Sequence, residues 1–137
     1  MLMCYNIEEM EGVGPRYFEL LHAQGIFTTD DLLNRGSTRF GRLALSKATG
    51  ISQVLLLQWV NRCDLFRIKG VAIPFAELLE GAGVETLKEL KSRNAGVLAD
   101  KMKYINGLRH ICSTPPKAKV IEQWIHQAKS LQPMVVY

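Results

Sequence analysis

A glycine-bounded turn near the amino end of the sequence has the residue types that hold a phosphate. Gly12, Val13 and Gly14 precede Pro15, which suits the first position of a helix. Glycines let a phosphate approach the backbone closely, and the N–H groups of a helix N-terminus attract an anion. Arg16 adds a flanking cation. The turn is therefore a candidate phosphate cradle; the alternative is a tight interhelical turn that only glycine fits.

A second turn of this kind occurs later in the sequence. Gly50, Ile51 and Ser52 separate two apolar stretches, and Lys47 stands just ahead of them. The glycine and the serine favour a helix junction with free backbone donors, which is a second candidate phosphate contact. The alternative is a helix cap followed by the core residue Ile51.

Three arginines are clustered in the polar, glycine-containing segment "NRGSTRFGR". They are Arg35, Arg39 and Arg42. The planar donor fork of arginine suits phosphate recognition, and a solvated loop is the alternative interpretation. Opposing these cations, Glu8, Glu9 and Glu11 lie beside the first turn and would repel phosphate unless they point away from it.

The sequence contains no motif of a common catalytic centre. A Walker loop, an HExxH motif and a nucleophile elbow are all absent, and Asp30 and Asp31 have the positions of first-turn helix residues. The three cysteines and three histidines lack the spacing of metal ligands. We therefore expect a protein that is not an enzyme, with no metal, cofactor or small-molecule substrate.

The chain repeats itself at a shift of 58 residues. The segment "EGVGPRYFELLHAQGIFTTDDL" (residues 11–32) aligns with "KGVAIPFAELLEGAGVETLKEL" (residues 69–90), with glycines, leucines and a threonine in register. Such self-similarity indicates an internal duplication. We predict two repeats over residues 7–65 and 66–131, the second carrying an insertion of about seven residues, followed by a tail at residues 132–137.

The second repeat has lost part of the phosphate-binding pattern. Its first turn is Gly70, Val71 and Ala72, followed by Pro74, and its second turn "STPPK" has no glycine. Lys69 next to the first of these turns can still supply positive charge. The second repeat is therefore expected to contribute charge rather than a backbone cradle.

Helical periodicity and capping residues predict an all-α fold of four or five short helices in each repeat. In the first repeat, one helix runs from Pro15 towards Gly25, a second from Thr28 to Gly36, a third over residues 40–48, and a fourth after Ser52. The continuous apolar run at residues 54–57 predicts that the fourth helix is central to the core. In the second repeat, Thr86 with Glu89 predicts a full capping box, with a helix end near Asn94. Trp59 and Trp124, which occupy equivalent positions, are predicted to be core residues.

The glycine turn, followed by "ATGISQVLLLQWV", resembles the paired helix-hairpin-helix domain of DNA-repair and recombination proteins. The tandem arrangement with the junction "VNRCDLFRIKGV" is still closer to an uncharacterised bacterial family with a helix-hairpin-helix-like domain of unknown function. In the helix-hairpin-helix pattern, the first hairpin corresponds to Gly12, Val13 and Gly14. The resemblance implies that the hairpin backbone binds DNA phosphates without sequence specificity.

Composition and charge set the class of protein and partner. Hydrophobic residues make up 47% and charged residues 22%, as in an ordinary globular chain, and no apolar run is long enough to span a bilayer. We therefore expect a cytoplasmic protein with no membrane association. Residues 1–65 carry six Lys/Arg against seven Asp/Glu, and residues 66–137 carry eleven against six, which favours an anionic partner for the second half.

Two functional hypotheses follow from the sequence. The first is a non-catalytic protein that binds DNA without sequence specificity, through hairpin amides and flanking cations. The second is a protein-interaction module on the same scaffold that has lost DNA binding, with partner contacts at the "PMVVY" tail and at the inserted segment of the second repeat.

Overall fold

The computed structural model describes residues 4–137, and the regular secondary structure of these residues is helical. A short 3-10 helix, Ile7–Glu9, is followed by eight α-helices. The all-α prediction is confirmed for this part of the chain. In chain order the helices are α1 (Pro15–Ala23), α2 (Thr29–Gly36), α3 (Arg39–Thr49), α4 (Gln53–Leu65), α5 (Ile73–Gly81), α6 (Leu87–Lys91), α7 (Ala95–Arg109) and α8 (Ala118–Ser130).

The chain divides into two units. The first unit consists of Cys4–Asp64 together with Pro133–Tyr137, and the second consists of Leu65–Gln132. In the first unit α2 packs against α3, and the 3-10 helix packs against α1. In the second unit α8 packs against both α6 and α7, and α7 also contacts α5. Residues 133–137, part of the predicted tail, therefore belong to the first unit.

The helix ends of the first unit follow from capping chemistry. Thr28 Oγ1 accepts from the Asp31 N–H at 3.1 Å, while Asp31 Oδ2 accepts from the N–H groups of Thr28 and Phe27. Because these amides hydrogen-bond to the ionised carboxylate, they hold the pKa of Asp31 below its usual value. Gly25 and Gly50 take left-handed conformations where α1 and α3 end, as the sequence predicts.

The second unit departs from the prediction at α6. This helix ends at Lys91, and Asn94 instead caps the next helix, its Oδ1 accepting from the Val97 N–H at 3.0 Å. The full capping box expected here is also wrong in detail: Glu89 Oε1 accepts from the Glu85 N–H, one residue before the cap residue Thr86. Asp31 of α2 accepts from both Phe27 and Thr28, whereas Glu89 accepts from the N–H of Glu85 and from the Thr86 hydroxyl.

Each unit has a tryptophan in its core. Trp59 on α4 is 2% exposed and meets Tyr17 edge to face, with ring centroids 5.3 Å apart. Trp124 on α8 is 1% exposed and meets Phe75 at 5.6 Å. The prediction that both are core residues is confirmed. The continuous apolar run of α4 is less buried than expected, because Val54 in its first turn is 70% exposed.

Candidate nucleic-acid interface

The first glycine turn leads directly into α1 and contains a left-handed residue. Gly12 has φ +89°, and the Val13 N–H closes the turn on the Met10 carbonyl at 3.2 Å. The Val13 side chain points into the core and is buried. A Cβ on Gly12 would lie 3.5 Å from Trp59 Nε1. Gly12 and Val13 therefore shape the turn, whatever it binds.

The N-terminus of α1 is open to solvent. Its cap residue Gly14 is exposed, makes no side-chain capping bond, and has no atom within 4 Å of the position that a Cβ would occupy. The first N–H groups of a helix have no intrahelical acceptor, and Pro15 has no N–H to offer. The donors at this helix end are therefore the backbone N–H groups of Arg16 and Tyr17. The exposed Arg16 side chain adds a positive charge.

Side chains of α4 contact the backbone and the core side of this turn. Arg62 Nη1 donates to the Glu11 carbonyl at 2.9 Å, and Cys63 Sγ lies 3.7 Å from Met10 Sδ in the core. Burial raises the pKa of Cys63, so this cysteine stays a neutral thiol that packs and does not react. The backbone that presents the open N–H groups is thus fixed before any ligand arrives.

Two of the three glutamates beside the turn have partners in the fold. Glu9 Oε2 accepts from the Asn6 N–H at 2.9 Å, and Glu8 Oε2 lies 3.9 Å from His22 Nε2, an ion pair when the imidazole is protonated. The side chain of Glu11 is exposed. These contacts hold Glu8 and Glu9 in place but leave their negative charges, and Glu11 is the exposed negative group closest in sequence to Gly12.

The second turn has the geometry of a closed helix cap. Gly50 ends α3 in the left-handed conformation, and Ile51 is buried. Ser52 Oγ accepts from the Leu55 N–H at 3.1 Å, so its hydroxyl already caps the N-terminus of α4. Lys47 is exposed in the last turn of α3, where a cation complements the helix dipole. This turn is therefore a poorer phosphate site than the turn before α1.

The three arginines of the polar segment do not form one exposed cluster. Arg42 is buried at 4% exposure, and its guanidinium donates to the carbonyl oxygens of Gly36 and Val136. Burial lowers the pKa of this guanidinium, which nonetheless stays charged at any physiological pH. The prediction that Arg42 belongs to an exposed phosphate-binding loop is wrong, because a helix, α3, carries the side chain into the fold.

The two remaining arginines are at the surface. Arg39 is exposed in the first turn of α3. Arg35 is also exposed, but its Nη1 donates to the Gln24 carbonyl at 2.7 Å, where α1 ends. Arg93 in the second unit makes the corresponding bonds to the carbonyls of Ala82 and Gly83. Arg35 therefore has a structural partner, and Arg39 is the freer cation of the segment.

The glycine turn of the second unit resembles that of the first in geometry, but the proline of the helix that follows stands one residue later. Gly70 has φ +101°, and a Cβ there would lie 3.1 Å from Trp124 Nε1. The Gln127 side chain bonds both the N–H and the carbonyl of Lys69, whose side chain is exposed. Pro74 at the second position of α5 removes the N–H that Arg16 supplies in α1, whereas Ile73 supplies the N–H that Pro15 lacks.

A groove at the start of α8 is a basic feature that sequence reasoning did not single out. It has a volume of about 640 Å³ and lies between the first turns of α7 and residues 114–118. Lys103 and Lys117 line it together with Asp100, and α8 begins without a side-chain cap. The sequence shows that Asp100 and Lys103 have helical spacing, but it does not show that residues 114–118 lie opposite them.

Within residues 4–137 no group of three His, Cys, Asp or Glu side chains is arranged to hold a metal ion. The same residues include no helix long and apolar enough to cross a membrane.

A family model described as "Domain of unknown function (DUF4332)" matches residues 11–131. The chain belongs to this family. The match begins just before the first glycine turn and covers most of both units described above, in agreement with the expected kinship to an uncharacterised family. No curated protein and no solved structure matches the chain.

Proposed function

We propose that this protein binds DNA through the phosphate backbone, without sequence specificity and without catalysis, and that its two units are tandem helix-hairpin-helix-like repeats. The observation that carries the proposal is the open N-terminus of α1. Gly14 leaves that helix end uncapped and sterically clear, and Arg16 stands exposed beside it. Backbone N–H groups at a helix end bind phosphate oxygens, which are the same at every base pair.

Parallel contacts in the two units support the repeat part of the proposal. A left-handed glycine faces an indole nitrogen in each unit, at Gly12 and Gly70. A long polar side chain of the tryptophan-bearing helix, Arg62 or Gln127, bonds the carbonyl just before that glycine. The two units share these contacts but differ at the start of the helix that follows. A difference between the units in phosphate binding would therefore arise from Gly14 and Arg16.

The two units contribute different features to DNA binding. The first unit supplies the better amide site, at α1. The second supplies positive charge, from exposed lysines beside its glycine turn and around the start of α8 that would draw DNA without a fixed geometry. These lysines include Lys69, Lys103, Lys117 and Lys119.

Amide mapping by NMR tests where the ligand lies. A short DNA duplex titrated into the ¹⁵N-labelled chain should shift the amide signals of Arg16 and Tyr17 more than that of Leu55, whose N–H is already bonded to Ser52. Perturbations confined to the second unit would show that the lysines, and not the α1 end, hold the duplex.

A protein-interaction module is the second candidate function. It is favoured by the exposed apolar side chains of α3, where Phe40 is 80% and Leu43 36% exposed between Arg39 and Lys47. Apolar side chains at the surface mark protein contacts more often than phosphate contacts. This candidate predicts no DNA binding at low salt and loss of a protein partner in a Phe40→Ser variant.

A further inference from the structure

Residues 133–137, the tail segment, occupy a cleft on the first unit that is lined by buried polar side chains. The cleft is formed by the end of α2, by α3 and by α4. Arg42, Asn61 and Asp64 line it and, with the tail segment in place, are 4%, 8% and 3% exposed. Buried polar groups of this kind are costly unless they are hydrogen-bonded, so the cleft is built to receive hydrogen-bonding groups.

The cleft recognises the main chain of the tail segment. The Met134 N–H donates to Asp64 Oδ2 at 3.1 Å, and the Val136 N–H donates to the Ser37 carbonyl at 2.7 Å. Arg42 Nη2 donates to the Val136 carbonyl at 2.6 Å. Main-chain bonds of this kind give affinity to an extended segment in the manner of a peptide bound to a receptor.

Two side chains of the segment add selectivity. Val135 is buried, whereas Val136 is 58% exposed. The Tyr137 hydroxyl donates to Asn61 Oδ1 at 2.7 Å. One apolar anchor and one hydroxyl contact, added to three main-chain bonds, make a small docking surface. The covalent connection gives the chain's own segment a high local concentration, so a second copy or a free peptide fills the cleft only where that segment is released.

We propose that this cleft is a peptide-binding site with an exchangeable occupant, and that residues 133–137 of a second copy of this chain can fill it in trans. A second copy carries the matched segment, including the tyrosine that meets Asn61. Exchange of an identical segment recreates every contact, which makes it a low-cost route to a dimer. The proposal is independent of DNA binding.

A peptide with the sequence of residues 132–137, labelled at its first residue, tests the receptor in the full-length chain. Val135→Asp should release the segment and vacate the cleft, and this variant should then bind the peptide saturably in fluorescence anisotropy. Val136→Asp is the matched control, since it adds the same charge at an exposed position; it and the parent chain should bind at least tenfold more weakly. If Val135→Asp does not fold, Val136→Pro, which removes the N–H bonded to Ser37, replaces it. Equal or absent binding in released and control variants would overturn the proposal.

Complementation between two full-length variants tests the second-copy occupant. Arg42→Met impairs the cleft but keeps the segment, and Val135→Asp impairs the segment but keeps the cleft. An equimolar mixture should form a heterodimer in analytical ultracentrifugation between about 10 µM and 1 mM, the range set by tethered effective concentrations. Each variant alone should stay monomeric. Asn61→Leu serves as the donor if Arg42→Met does not fold, and a mixture that stays monomeric would refute exchange between copies.

Discussion

Trp59 Nε1 lies 3.5 Å from the position that a Cβ on Gly12 would occupy, and Trp124 Nε1 lies 3.1 Å from the same position on Gly70. Both glycines are left-handed. The glycine that the two units share is thus required by the fold, because its backbone is left-handed in both, and at Gly70 the indole also leaves little room for a Cβ. Gly14 has no such neighbour, so the open helix end is the part of the turn that is free to serve a ligand.

The two glycines of the first turn should respond differently to alanine. Gly12→Ala should lower the free energy of unfolding by about 1–2 kcal/mol, because a side chain is strained at φ +89°. Gly14→Ala should cost less than about 1 kcal/mol, since the backbone there is extended and the space is open. Denaturant unfolding measures both changes. A Gly14→Ala variant as destabilised as Gly12→Ala would show that the helix end is structural as well.

The second turn should matter to stability and not to DNA affinity. Ser52→Ala removes the hydroxyl that accepts from the Leu55 N–H and should cost about 0.5–2 kcal/mol. Affinity for a duplex should stay within about twofold of the parent, below about 0.4 kcal/mol of binding free energy. A large loss of affinity, with unfolding unchanged, would instead place a phosphate contact at this turn.

Arg42→Lys keeps the charge but loses the fork that bridges two carbonyls. The variant should be destabilised by about 1–3 kcal/mol, because an ammonium cannot reach both Gly36 and Val136. Hydrogen exchange at the Val136 amide should accelerate, since the segment that it belongs to is less firmly held. Arg39→Lys, at an exposed position of the same helix, is the control and should leave both measurements unchanged.

The α2 cap should make stability depend on pH through Asp31. Its folded pKa is lowered, so the carboxylate stabilises the fold fully above the unfolded pKa of about 3.9, and this contribution is lost as the pH falls through the lower folded value. Asp31→Asn should therefore melt at a lower temperature than the parent at pH 7, with the gap closing as the pH falls through the folded pKa of Asp31. A gap that persists at low pH would mean that the asparagine disturbs packing instead of removing a charge.

Local signals in the sequence predict most of the helices of this protein. Pro15, Thr28, Gly50 and Ser52 each mark a helix boundary within one or two residues, because caps and stops depend on neighbours in the chain. The α6 boundary fails since Asn94 can serve as a C-terminal stop or as an N-cap, and the tertiary setting of α7 selects the cap. The exposure of Val54 likewise depends on what the first turn of α4 faces.

The site was less predictable than the helices. The glycine pattern correctly placed a turn before α1, but whether a serine hydroxyl already fills a helix end, as at Ser52, is visible only in the structure. The burial of Arg42 could not be foreseen either, because its partner Val136 is 94 residues away. Contacts at such separation leave no local pattern in a single sequence.

Duplex DNA binding measured across a salt series, for the parent chain and for Arg16→Glu, tests the central claim most directly. Lys129→Glu, which makes the same change of charge in the last turn of α8, is the matched control. The parent should bind with a steep loss of affinity as salt rises, and Arg16→Glu should bind more weakly with the log–log salt slope reduced by about 1. The control should keep nearly the parent slope. Absence of binding even at low salt, or equal effects of the two substitutions, would contradict phosphate binding at the N-terminus of α1.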